Sequence, residues 1–222
     1  MVTKTRLKNK LPRGELVENR IILWNIQESR TIFSMGFYGK PIGVPKPKGN
    51  DFDAPLVLDL IEGYYLVIKG ILKVYNPLNQ KSVALRRIGE ICEEQYVDFS
   101  EKFLVYTKLR DSGLIVTPGI KFGCDFAIYE KGPGIDHAPY LIQVVKTSDK
   151  LTATGIVLAG RLATTVRKQF TIALANTEEN NVSFLSFYYT KTGSPYHIIR
   201  GLGYSLNSKL ISFTLWLTRR NL

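Results

Sequence analysis

GLIVTPGIKFGCDFAIYEKGPGIDHAPYLIQVVK, residues 113–146, is the stretch on which the fold turns. Pro118-Gly119 punctuates it, because proline has no N–H to give a sheet and glycine accepts turn conformations. Two short strands are expected around that pair. APYLIQVVK reads as a third strand, apolar enough along its length to be buried on both faces. Upstream, DFSEKFLVYTKLRDSG sets Phe103, Leu104, Tyr106 and Leu109 at helical spacing, with Ser100 as the expected N-cap and Gly113 as the stop. Downstream, residues 153–167 place Ile156, Ala159, Ala163 and Val166 on one face, which predicts a second helix. QFTIALAN and NNVSFLSFYYT then read as strands separated by an acidic turn at Glu178 and Glu179. Helix, strands, helix, strands is the order of a small mixed sheet flanked by helices, an α/β (α+β) unit.

The first half reads as a separate mixed α/β unit. ELVENRIILWNI and RTIFSMGFYG carry strand-like apolar runs. KPIGVPKPKGNDFDAP, residues 40–55, is expected to be a long loop, since Pro41, Pro45 and Pro47 preclude a regular interior element. Residues 56–76 predict a short helix followed by strands around YYLVIKGILKVY, turning at Gly70. Residues 82–95 read as helical. These boundaries give domains at 1–97 and 98–190, with a basic, aromatic tail at 191–222 and no internal repeat.

Composition narrows the partners. The chain has 222 residues and a net charge of +11. Residues 1–50 hold ten basic and three acidic side chains, and residues 151–222 hold eight and two. The middle hundred is slightly acidic. Two basic ends point to a polyanion. Cys92 and Cys124 form no CxxC pair and no metal-ligand cluster with the two histidines, which fits a reducing compartment. The start, MVTKTRLKNKLPRG, lacks the apolar stretch of a signal peptide, and LISFTLWL near the end is far shorter than the ~20 residues of a membrane span. A soluble, cytoplasmic protein without membrane partner, cofactor or metal is expected.

The titratable groups that stand out are Tyr129, His137 and Lys168, a base, an acid and a cation within about forty residues. Singly, each has an ordinary reading: a strand-end aromatic, a loop histidine, a solvated cation at a helix end. Their company changes that reading. GIKFGCDFAIYEKG, HAPYLIQVV and GRLATTVRKQFTIALA resemble, in that order, the catalytic domain of the archaeal tRNA-splicing endonuclease (tRNA-intron endonuclease) family. FYGKP followed by LVLDLIEGYYLVIKGILKV resembles the family's N-terminal domain, so the likeness spans about residues 15–190.

The resemblance implies a restriction-endonuclease-like second unit. It also implies a catalytic triad of Tyr129, His137 and Lys168, and an Arg161 that grips a bulged base. A second clamping arginine of the family falls where this chain has Lys191, and residues 191–222 run past the family's usual end. The loop at 40–55, with Lys46 and Lys48, resembles an extra RNA-reaching loop of crenarchaeal catalytic subunits. The implied substrate is precursor tRNA, or other RNA, with a bulge-helix-bulge at its exon–intron junctions. The implied assembly is a heterotetramer with a separate structural subunit. His197 lies in the unmatched tail and is read as structural.

Two other readings stand beside this one. A catalytically silent RNA-binding subunit has no need of all three triad residues. A metal-dependent nuclease would use Asp125 with the lysine ending YLIQVVK, but that chemistry wants a second carboxylate near the lysine, where Gln143, Val144 and Val145 stand.

Overall fold

Two strands open the N-terminal unit, β1 (Arg13–Val17) and β2 (Arg20–Leu23), paired antiparallel with Leu16 opposite Ile21. In this computed structural model, residues 11–45, 47, 49–135, 138, 140–150, 152, 154, 157, 168–187 and 198–200 are described. The chain divides into two compact units, Met1–Gln95 and Tyr96–Leu222.

RTIFSMGFYG is not a strand. Helix α1 (Ile26–Ser34) runs through its first half. Asn25 caps the helix, its Oδ1 accepting from the Glu28 N–H at 3.0 Å, and Ser29, Ile32 and Phe33 are the buried face. The prolines of the following stretch do not exclude pairing either. Lys40–Pro41 forms a two-residue edge strand, β3, on β4 (Leu56–Asp59), and proline is tolerated at an edge. The loop between them is tied at its far end, where Arg30 Nε donates to the Phe52 carbonyl at 2.7 Å and Phe52 packs edge-on against Phe33. Lys46 and Lys48 lie outside the described residues.

YYLVI is also helical, within α2 (Leu60–Ile68). The cause is a capping box: Asp59 Oδ1 accepts from the Ile61 N–H, and Glu62 Oε2 accepts from the Asp59 N–H at 3.0 Å. Glu62 is almost fully buried, and its other oxygen takes the Gly39 N–H at 3.2 Å. Gly70, at φ +68°, ends this helix rather than turning two strands. The Ile71 N–H reaches the Leu66 carbonyl and the Gly70 N–H the Val67 carbonyl, a Schellman closure. Strand β5 (Lys73–Tyr75) follows and pairs parallel with β1. Helix α3 (Leu85–Gln95) completes the unit around a sheet ordered β3-β4-β2-β1-β5.

The second unit starts with α4 (Phe99–Asp111). Its N-cap is Asp98, not Ser100; Asp98 sits at φ 58° and makes no side-chain cap bond, its carboxylate instead meeting Lys146 Nζ at 2.7 Å. Gly113 ends the helix region at φ +86°. Strands β6 (Ile115–Pro118), β7 (Phe126–Tyr129), β8 (Tyr140–Lys146), β9 (Gln169–Asn176), β10 (Asn181–Phe187) and β11 (Ile198–Arg200) form one mixed sheet in reverse chain order. All neighbours are antiparallel except β8 and β9. A parallel pair demands a crossover between its strands. Of the helix predicted at 153–167, Thr154 and Val157 are described and are helical; its other residues lie outside the described set. Helix α4 packs on β6, β8, β9 and β10. Tyr106 of α4 meets Phe126, so alternation sends Phe126 and Ile128 toward α4 and Ala127 and Tyr129 to the other face. The tail thus contributes at least β11, whose backbone pairs with β10.

Candidate active site

The register decides which residues meet. Ile128 lies opposite Tyr140, and Tyr140 opposite Gln169, a row crossing β7, β8 and β9. Tyr129 is one residue past that row and Lys168 one residue before it. Strand β7 ends here, while β8 and β9 both begin here. Tyr129 and Lys168, thirty-nine positions apart in the chain, therefore share one end of the sheet.

Tyr129 is buried in a cluster with Cys124, Ala127, Ala138, Leu141, Phe170 and Ile172, on the face away from α4. Lys168 is half-buried, and two contacts of its ammonium are of different kinds. Nζ donates to the Ala138 carbonyl at 2.5 Å, and it stands 5.3 Å from the centre of the Phe122 ring. Ala138 is 2% exposed and belongs to the same cluster as Tyr129, so its carbonyl is a fixed acceptor. Ala138 directly follows His137. His137 itself lies outside the described residues, as do Arg161 and Lys191. Of the three residues expected to form a triad, the described geometry places Tyr129 and Lys168 at one end of the sheet, and it ties Lys168 to the residue next to His137.

Phe122 escaped the reading of the sequence. It sits on a 3-10 turn, Ile120–Phe122, between β6 and β7. Gly119 makes the turn possible: a Cβ there would stand 2.6 Å from Cys124 Sγ and 2.8 Å from the Phe126 nitrogen. The signal was the paired glycines of PGIKFG, which force a turn that swings the aromatic back over the sheet. The thiol behind the turn is buried. Burial, with the Asp125 carboxylate adding to it, pushes Cys124 up to about 11.

The other end of the sheet carries the pair that a metal-dependent nuclease would use. Asp125 precedes β7 and Lys146 ends β8, and both are committed elsewhere. The Asp125 carboxylate meets Lys102 Nζ at 2.9 Å and accepts from Gln143 Nε2 at 2.8 Å and the Val144 N–H at 2.7 Å. Lys146 pairs with Asp98, and hydrogen bonding to that carboxylate holds its ammonium above the usual lysine range. This is an architectural network joining α4, β7 and β8, away from Tyr129.

Residues 99–184 match the family model for the tRNA intron endonuclease catalytic C-terminal domain, and residues 13–87 match that for the tRNA intron endonuclease N-terminal domain. A tRNA-splicing endonuclease of Hyperthermus butylicus is 38% identical over 179 residues, 81% of this chain and 98% of that protein. One from Sulfurisphaera tokodaii is 38% identical over 80% of this chain and 98% of its own length. A third, from Saccharolobus islandicus, is 38% identical over 79% and 97%. No helix among the described residues is long and apolar enough to cross a membrane. With both family domains matched in order and relatives aligned over nearly their whole length, the chain belongs to the tRNA intron endonuclease family.

Proposed function

We propose that this tRNA-intron endonuclease is the catalytic subunit of its assembly. In this reading it cleaves precursor tRNA at bulge-helix-bulge junctions, using Tyr129, His137 and Lys168. The observation that carries the reading is that Tyr129 and Lys168 lie at the same end of the sheet, with Lys168 hydrogen-bonded to the carbonyl next to His137.

RNA brings its own nucleophile, the 2′-hydroxyl. Tyr129 as phenolate takes the 2′ proton. The 2′-oxygen bonds to the adjacent phosphorus, and the phosphorus–5′-oxygen bond breaks. His137 as imidazolium gives its proton to the leaving 5′-oxygen. The products are a 2′,3′-cyclic phosphate and a 5′-hydroxyl. A tyrosine titrates near ~10 and is a poor base until a cation favours its phenolate, and a histidine near ~6.5 is protonated often enough to serve as acid. Lys168 supplies that cation and opposes the negative charge that gathers on the phosphate oxygens. No metal enters this scheme. Arg161 and Lys191 flank the bulged base, Lys46 and Lys48 reach the RNA backbone, and specificity comes from RNA shape and splayed bases.

The test is single-turnover cleavage in EDTA. Tyr129→Phe and His137→Ala are each expected to slow the reaction ~10²–10⁴-fold, the usual contribution of a general base or acid. Lys168→Ala lowers the rate at saturating RNA, and all three variants still bind. An RNA with a 2′-deoxy sugar at the cleavage site binds and stays intact. Cleavage of that RNA, or full rates in both Tyr129→Phe and His137→Ala, overturns the mechanism.

A further inference from the structure

We propose that Phe122 is a positioning residue for Lys168: its ring and the Ala138 carbonyl together fix where the ammonium points. The proposal rests on Lys168 opposing charge on the scissile phosphate. The ammonium lies 5.3 Å from the centre of the Phe122 ring and 2.5 Å from the Ala138 oxygen. A cation within ~6 Å of an aromatic ring centre is drawn to the negative face of the ring. The lysine stem is long and flexible, so a ring contact added to a hydrogen bond from a different part of the chain narrows where the ammonium can point.

The chemical character of the anchors matters more than their number. A carboxylate in either position would pair with the ammonium and cancel its charge toward the phosphate. An aromatic face and a peptide carbonyl are neutral, so these two anchors orient the cation without themselves cancelling its charge. Phe122 is itself held firmly. Its N–H donates to the Gly119 carbonyl at 2.8 Å, the Gly119 N–H donates to the Asp125 carbonyl at 2.8 Å, and the ring packs on the cluster that holds Tyr129 and Ala138. Lys121 Nζ also lies over this ring, at 4.8 Å, so a test must separate the two lysines.

The experiment replaces Phe122 in the full chain, within its active assembly, by 4-fluoro-, 3,5-difluoro- and 3,4,5-trifluorophenylalanine. Successive fluorines drain the negative ring face while the shape stays nearly constant. Single-turnover cleavage of a bulge-helix-bulge RNA is measured at saturating enzyme, with RNA affinity and melting temperature recorded alongside. The logarithm of the rate is expected to fall with each fluorine, to a total of about threefold to thirtyfold, the span that such a contact supports. Affinity and melting temperature stay level, and Phe122→Trp, which keeps an aromatic face, retains more activity than Phe122→Leu. The same fluorine series is flat in a Lys168→Ala background and persists in Lys121→Ala. A flat series in the parent, with Lys168→Ala still slow, overturns the positioning role and spares the mechanism. A series that survives Lys168→Ala also overturns it, because the ring would then act through another group. Full-rate cleavage by Lys168→Ala overturns the mechanism and this role together.

Discussion

Removing the Asp125 carboxylate tests the division of labour between the two ends of the catalytic-domain sheet. The carboxylate is 12% exposed, and three donors converge on it: Lys102 Nζ, Gln143 Nε2 and the Val144 N–H, all within 3 Å. Asp125→Ala leaves a buried main-chain N–H and a mostly buried ammonium without this acceptor. Hydrogen bonds to a charged group are worth about 1.5–3 kcal/mol each, and such neighbours do not add fully. The expected loss is about 3–5 kcal/mol, which matches the usual cost of breaking a buried ion pair. Asp125→Asn keeps one oxygen for Gln143 and Val144 but turns an amide N–H₂ toward Lys102, so its loss is about 1–2 kcal/mol. A Lys102→Met partner change softens the Ala variant, because the orphaned charge goes with it. Urea unfolding followed by circular dichroism gives the ranking, and single-turnover cleavage is run at a temperature where every variant is folded. Cleavage is expected to stay within a few-fold of the parent. Equal unfolding midpoints for the parent and the Ala variant refute the structural reading. A folded Asp125→Asn protein that no longer cleaves refutes it from the other side, since the carboxylate would then belong to the chemistry.

Lys46→Ala combined with Lys48→Ala is expected to weaken cleavage of non-standard bulge substrates most and to lower the salt slope of RNA binding by about two; identical rates on all substrates across a salt series remove the loop from RNA recognition. Burial is the main force that pushes Cys92 up to about 12 and Cys124 to about 11, from an ordinary thiol value of 9.0. Folding therefore keeps both protons on, so their stability contribution is whole below pH 9 and fades as pH rises toward 11 and 12. Iodoacetamide at pH 8 should label neither thiol until the protein is unfolded, and rapid labelling of the native protein contradicts this. Light scattering with a candidate structural subunit is expected to give a heterotetramer, and a monomer fully active alone excludes that assembly.

Much of the second unit was legible because its signals were local. The strands QFTIALAN and NVSFLSF, their acidic turn and the end of α4 all follow from short-range pattern. The first unit misled where residue type and capping disagreed. RTIFSMGFYG and YYLVI are rich in β-branched and aromatic residues, which favour strands. Yet each follows a cap signal three residues long in reach: Asn25 with Glu28, and Asp59 with Glu62. The second is a complete capping box. In the first, Glu28 turns its carboxylate to the Arg13 N–H of β1 at 2.8 Å, so the helix start is fastened to the sheet instead. Read as caps, both signals were present in the sequence; read as apolar runs, they were hidden.

The residue types of the candidate site stand in the sequence, but their place in the fold does not. Nothing in the spacing of Tyr129 and Lys168 says that they share one end of the sheet; the parallel pairing of β8 and β9 places them there. Had the chain returned antiparallel, β9 would begin at the other end of β8, and Lys168 would stand roughly 20 Å away, six residue steps of ~3.3 Å, beside Asp125 and Lys146. Had it returned parallel but one residue out of register, the side chains of β9 would have exchanged faces, taking Phe170 and Ile172 out of the cluster that surrounds Tyr129. The apolar alternation along β9 satisfies the second condition, and a crossover of a dozen residues or more allows the first. A segment of more than twenty residues separates β8 from β9, enough for that crossover, and the lysine stands immediately before β9. The pairing of β8 with β9 thus sets how far apart Tyr129 and Lys168 lie, so shortening the segment below what a crossover needs is expected to lower single-turnover cleavage before the urea unfolding midpoint falls.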